Sequence, residues 1–128
     1  MPAPLEFDQP DLHREIDARS AAELDELEFG VIGFDGETVV RRYNAYESKA
    51  AALSPRSVLG QPVFTVVAPC MNNFMIAQRF ADAAVGGAQL DETIDYVLTL
   101  RMRPVKVRLR LLASDGPALR YVLVSRRP

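Results

Sequence analysis

The sequence predicts an α+β domain: a five-stranded antiparallel sheet with helices on one face and an N-terminal helical cap. Three observations lead there. The last third is strongly β, with Ile94, Tyr96, Leu98 and Leu100 alternating along one strand and Val105, Val107, Leu109 and Leu111 along the next. Asp115-Gly116-Pro117 then turns the chain into a final strand over 119–125. Earlier, Asp35-Gly36 joins two apolar runs, 29–34 and 38–43, as a hairpin. Between these strand regions, Phe74, Ala77, Phe80, Ala81 and Ala84 recur at helical spacing.

The elements follow in order. Residues 1–10 contain three prolines and no periodicity, which predicts extended or disordered chain. Asp11 heads a short helix with Leu12 and Ile16 on one face. Ser20 and Glu23 form a capping box that opens a second short helix through Leu24 and Leu27. The alanine-rich stretch 45–53 is helix-prone and is stopped by Ser54-Pro55. Pro55 then starts another short turn that ends at Gly60. Gly86-Gly87 closes the longer helix that contains Phe80. The expected division is a cap segment over 1–28 and a ligand-binding domain over 29–128.

Composition narrows the function classes. A chain of 128 residues with 48% hydrophobic and 25% charged residues has the size of one soluble domain with its own core. Residues 57–78 carry no charge and have the length of a membrane span. Gly60, Gln61, Pro62, Pro69, Asn72 and Asn73 within them oppose a lipid-facing helix and favour the lining of an internal cavity. One cysteine and no basic, apolar leader at the start point to a reducing, cytoplasmic setting. Lys106, Arg108 and Arg110 share one side of a strand, but no aromatic interleaves them and the sequence pI is about 5.4, so nucleic acid is not an expected partner. His13 is the single histidine, which leaves metal and triad chemistry unsupported and an enzyme unexpected.

Charge is also unevenly placed. Ten of the seventeen acidic residues lie within 1–36, and eight of the fifteen basic ones at or after Arg101. This predicts an acidic N-terminal segment docked on a basic sheet through a modest apolar contact and salt-screened charge. The alternative is a pair of solvated faces.

The residues that carry chemistry are few. A lone cysteine is most often a small buried hydrophobe. Cys70, however, follows Pro69 in Val-Ala-Pro-Cys, just ahead of a helix start whose backbone N–H groups can stabilise a carbonyl. Tyr43 and Glu47 lie four residues apart, where one helical turn aligns them. A Glu buried there with no cation nearby favours its neutral form, because desolvation opposes ionisation. A thiol, a phenol and a carboxyl around one apolar site fit a covalently held ligand whose far end is hydrogen-bonded.

These motifs, taken together, resemble the photoactive yellow proteins, small PAS-fold blue-light receptors. The resemblance runs from about Leu27 to the final strand: Glu28-Phe29-Gly30-Val31-Ile32, Tyr43-Asn44-Ala45-Tyr46-Glu47, Val58-Leu59-Gly60, Val67-Ala68-Pro69-Cys70 and Arg101-Met102-Arg103-Pro104, in that order. It implies 4-hydroxycinnamic acid (p-coumaric acid) held as a thioester on Cys70, with Tyr43 and Glu47 donating to its phenolate and Met102 closing over it. Ala51 and Leu53 stand where the family often has a threonine and a lid arginine, and Val63 and Leu98 occupy lining positions. The implied function is a blue-light receptor that signals by trans-cis isomerisation, proton transfer and partial unfolding to a downstream signalling protein, as a monomer or weak homodimer. The alternative is a light-independent PAS-type module that binds a small ligand or another protein.

Overall fold

The computed structural model describes residues 5–87, 89–99, 104–114, 116 and 118–126. Two short helices, α1 (Leu12–Asp17) and α2 (Ala21–Leu24), precede strands β1 (Gly30–Phe34) and β2 (Val40–Tyr43). Helices α3 (Ala45–Ala51) and α4 (Pro55–Val58), a π-helical turn (Val63–Val67) and a 3-10 turn (Pro69–Met71) lead to α5 (Ala77–Gly86). Strands β3 (Leu90–Leu98), β4 (Val105–Ala113) and β5 (Arg120–Ser125) complete the order. All neighbours are antiparallel, in the order β2-β1-β5-β4-β3.

Both faces of this sheet are covered, and the period-2 side-chain alternation decides what meets what. Ile32, Phe34, Val107, Leu109, Leu111, Val122 and Val124 point to α3–α5 and the irregular turns, where they join Val63, Phe64, Met71 and Phe80. Val31, Leu112, Tyr121 and Leu123 point the other way and meet Leu5, Phe7, Leu12, Ile16, Leu24 and Leu27 of the N-terminal segment. Arg110 anchors that segment. It donates to the carbonyls of Phe7 and Gln9 and pairs with Asp91 across the sheet at 2.8 Å. Arg108 pairs with Asp8 at 3.2 Å and lies over the Phe7 ring.

The expected docking of acid on base is therefore present, but apolar burial dominates it. Each buried Leu, Ile or Phe contributes roughly 1.5–3 kcal/mol over exposure, whereas the exposed Arg108–Asp8 pair contributes at most ~1 kcal/mol. The contact is larger than the modest one that the sequence implied. Residues 5–10 are not loose chain either, because Leu5 and Phe7 are buried and Phe7 meets Phe29 edge to face.

Other local expectations need correction. Asp11 makes no side-chain cap bond and sits at φ 55°; its carboxylate faces Arg14 at 3.5 Å instead. The β1–β2 connection takes its left-handed residue at Thr38 (φ 64°), and Asp35 Oδ1 accepts from the N–H groups of Glu37 and Val39 on either side of it. Phe74, placed on a helix face by its spacing, lies ahead of α5 and is exposed. Ala81 and Ala84 face solvent as well. The Ser20–Glu23 capping box, Pro55 at the first turn of α4 and Gly87 at the end of α5 form as the sequence indicates.

Candidate functional site

The site is assembled from three connections between strands and helices. Tyr43 ends β2 and is buried. Asn44 follows as the N-cap of α3, accepting from the Glu47 N–H at 3.1 Å. Its side chain, 1% exposed, also accepts from Val31 N–H and donates to the carbonyls of Leu24 and Phe29. This single amide thus fixes the start of α3 to both β1 and the N-terminal segment. It sets where Glu47, one turn later, must point.

Cys70 lies half-buried in the 3-10 turn and packs against the main core. Its carbonyl accepts from the Tyr96 hydroxyl at 2.6 Å and from the Asn73 amide at 3.2 Å, and Asn73 also donates to Tyr96 Oη. Asn73 Oδ1 in turn accepts from Met75 and Ile76 N–H. The thiol-bearing turn is thereby fixed to β3 and to the entry of α5. Neither Tyr96 nor Asn73 was singled out as a site residue from the sequence. The alternation of β3 placed Tyr96 on the strand, but its partner lies 26 residues away in the chain.

Of the nine candidate ligand-binding residues, five share one apolar cluster: Cys70, Tyr43, Val63, Leu98 and, partly buried, Leu53. Ala51 is buried at the last turn of α3, and Pro69 is exposed beside Cys70. Met102, together with its neighbours Arg101 and Arg103, lies outside the described residues. Tyr43 also borders an open groove of about 660 Å³ lined by Leu24, Arg42, Ser48 and Leu59. Burial, reinforced by the charge of Glu47, pushes the Tyr43 phenol well above its ordinary range, so it stays a donor. Its hydroxyl lies 3.5 Å from the Glu47 backbone carbonyl, not from the carboxylate.

Glu47 departs most from expectation. It is buried, but it is not without a cation: Arg126, just past β5, grips the carboxylate in a bidentate pair at 2.8 and 3.1 Å. The carboxylate lies against the backbone of Gly30, where a side chain would collide with it. Burial opposes the charge on Arg126, yet the hydrogen bonds and attraction of Glu47, aided by Tyr46 and Tyr43, outweigh it and raise the guanidinium above its ordinary range. The neutral, cation-free Glu47 inferred from the sequence is replaced by an ion pair, because the chain end brings in a partner 79 residues away. Cys70 and Tyr43 thus pack on one cluster, while the Glu47 head is held by Arg126.

This strand order, with its helical connections on one face, defines a PAS-type sensor fold. A PAS domain of the Cronobacter turicensis quorum-sensing receptor RpfR, 14% identical, superposes on 80% of the chain and 97% of its own length with a TM-score of 0.61, which shows the fold alone. No protein-family model matches the chain. Individual relatives are more specific. The photoactive yellow protein of Rhodothalassium salexigens is 30% identical over 95% of this chain and 97% of its own, and that of Halochromatium salexigens is 31% identical over 84% and 85%. The photoactive yellow protein domain of the sensor histidine kinase Ppr from Rhodospirillum centenum superposes on 88% of the chain and 97% of its own length, at 37% identity and a TM-score of 0.79. The chain belongs to the photoactive yellow protein family of PAS-fold photoreceptors.

Proposed function

We propose that this chain is a blue-light receptor that carries 4-hydroxycinnamic acid as a thioester on Cys70. The observation that supports the reading is that the single thiol and the buried phenol of Tyr43 both pack on the main apolar cluster, with Glu47 one turn beyond Tyr43. When bound, that group supplies blue-light absorption and a double bond that isomerises from trans to cis. Tyr96 and Asn73 hold the Cys70 turn in place. Tyr43 offers a hydroxyl that burial keeps protonated. Leu53, Val63 and Leu98 exclude water, which strengthens each polar contact inside.

Glu47 is the second donor and the group that gives up its proton in the response. The carboxylate that results changes the charge inside a domain held together by only roughly 5–15 kcal/mol. Partial unfolding of the N-terminal segment is the response, and a signalling protein reads it. A cytoplasmic setting and a cap segment over 1–28 belong to the same reading. Among the described residues, no helix is long and apolar enough to cross a membrane.

The test is reconstitution with an activated 4-hydroxycinnamoyl ester, followed by absorbance and intact mass. The expected result is one coloured adduct per chain, absent from a folded Cys70→Ala variant. An adduct that survives Cys70→Ala rejects the attachment site. A folded wild-type chain that takes up no chromophore favours the light-independent module.

A further inference from the structure

Glu47 and Arg126 form the most deeply buried ion pair among the described residues, with side chains 3% and 17% exposed. The pair is built rather than incidental. Arg126 Nη1 donates to Glu47 Oε1 and Nη2 to Oε2, and Gly30 leaves the space in which the carboxylate lies. The groups that face it are Tyr43 from β2 and Tyr46 from α3, both phenols, and no second cation reaches the pair among the described residues. The charge on Glu47 is therefore balanced by Arg126 and by nothing else that the structure describes.

We propose that Arg126 is the counter-ion that takes the Glu47 carboxylate whenever no phenolate faces it. This rests on the function proposed above. A buried carboxyl can donate to a phenolate only as the neutral acid, and a neutral acid does not hold a bidentate guanidinium. Binding of the phenolate end and pairing with Arg126 are thus mutually exclusive states of one side chain. On loading, the chromophore's phenol passes its proton to the Glu47 carboxylate and becomes the phenolate, and Arg126 is released. Transfer of that proton to the chromophore's phenolate oxygen, giving a neutral phenol and a carboxylate, restores the pair. The charge created by light is caught, not stranded.

The location gives the switch an outlet. Arg126 directly follows Ser125, which pairs with Arg108 across β4, and Arg108 holds Asp8 of the N-terminal segment. Val124 pairs with Gly30, the residue under the Glu47 carboxylate. Exchange of the Arg126 partner thus acts on the end of β5, which borders the docked N-terminal segment.

The test begins without chromophore, so that it does not depend on loading. Infrared difference spectra against Glu47→Gln assign the Glu47 bands. Wild type at neutral pH should show the carboxylate stretch, Arg126→Gln should replace it with a protonated carboxyl C=O band, and Arg126→Lys should restore the carboxylate. A carboxylate that persists unchanged in Arg126→Gln overturns the proposal, as does a protonated Glu47 in wild type. The second arm uses the reconstituted adduct. Arg126→Gln should speed dark return about tenfold, the equivalent of ~1.4 kcal/mol removed from the lit state. Unchanged or slower return overturns the proposal. If no adduct forms, the function proposed above fails, while the chromophore-free spectra still decide the role of Arg126.

Discussion

Asn44→Ala should be among the most damaging single substitutions in this chain. The amide makes four hydrogen bonds while 1% exposed: it accepts from Val31 and Glu47 N–H and donates to the Leu24 and Phe29 carbonyls. Loss of an N-cap alone costs about 0.5–2 kcal/mol. The Val31 N–H and two buried carbonyls then lose partners, at ~1–3 kcal/mol for a donor left unpaired and less for carbonyls with other bonds. The total is about 3–5 kcal/mol, a large share of a domain's stability. Urea denaturation reads it directly. With a slope of roughly 1–3 kcal/mol/M, the midpoint should fall by at least about 1 M. Asn44→Ser keeps the cap acceptor but not the two donated bonds, so it should recover about 1 kcal/mol relative to alanine. Hydrogen exchange should show the lost protection at both α3 and residues 24–29. A destabilisation below ~1 kcal/mol, or one confined to α3, would refute the reasoning that this side chain clasps the N-terminal segment to the sheet.

Gly30→Ala places a methyl group against the Glu47 carboxylate and should cost about 1–3 kcal/mol, as overpacking does; unaltered stability would show that the carboxylate lies elsewhere. In the chromophore-loaded protein, Glu47→Gln and Tyr43→Phe should each shift absorbance to longer wavelength, because weaker donors leave the phenolate charge more delocalised; two unchanged spectra would remove both residues from the site. At alkaline pH, Tyr43 and Tyr121 keep raised phenols in the folded state, both chiefly through burial. Their contribution is complete below the ordinary tyrosine value near pH 10 and is lost as pH rises above it, since the unfolded chain ionises first. Ultraviolet titration should show these phenols ionising together with unfolding, and smooth ionisation of all four tyrosines in a folded chain would contradict it. Illumination of the loaded protein should lower exchange protection over residues 11–28 while the sheet stays protected, and uniform loss across the strands would argue against release of the N-terminal segment.

What the sequence determined by itself is local and periodic. The alternation of Val107, Leu109 and Leu111 marked a strand with these residues on one side, and the structure turns that side toward the helices. Ser20 with Glu23, and Pro55 after Ser54, carry their partners within three residues, so their geometry is nearly independent of the rest of the chain. The grouping of Cys70, Tyr43, Val63 and Leu98 on one cluster also agrees with the motifs, because each motif sits at a junction whose position the strand order fixes. Tertiary structure alone decided the charges. Nothing near Glu47 in the chain announces Arg126, and nothing near Arg110 announces the carbonyls of Phe7 and Gln9. Period and capping act over a few residues, where the backbone sets the distances. An ion pair 79 residues apart exists only after the β1–β5 pairing has brought the two ends together, and a buried charge is stable only where such a partner has arrived.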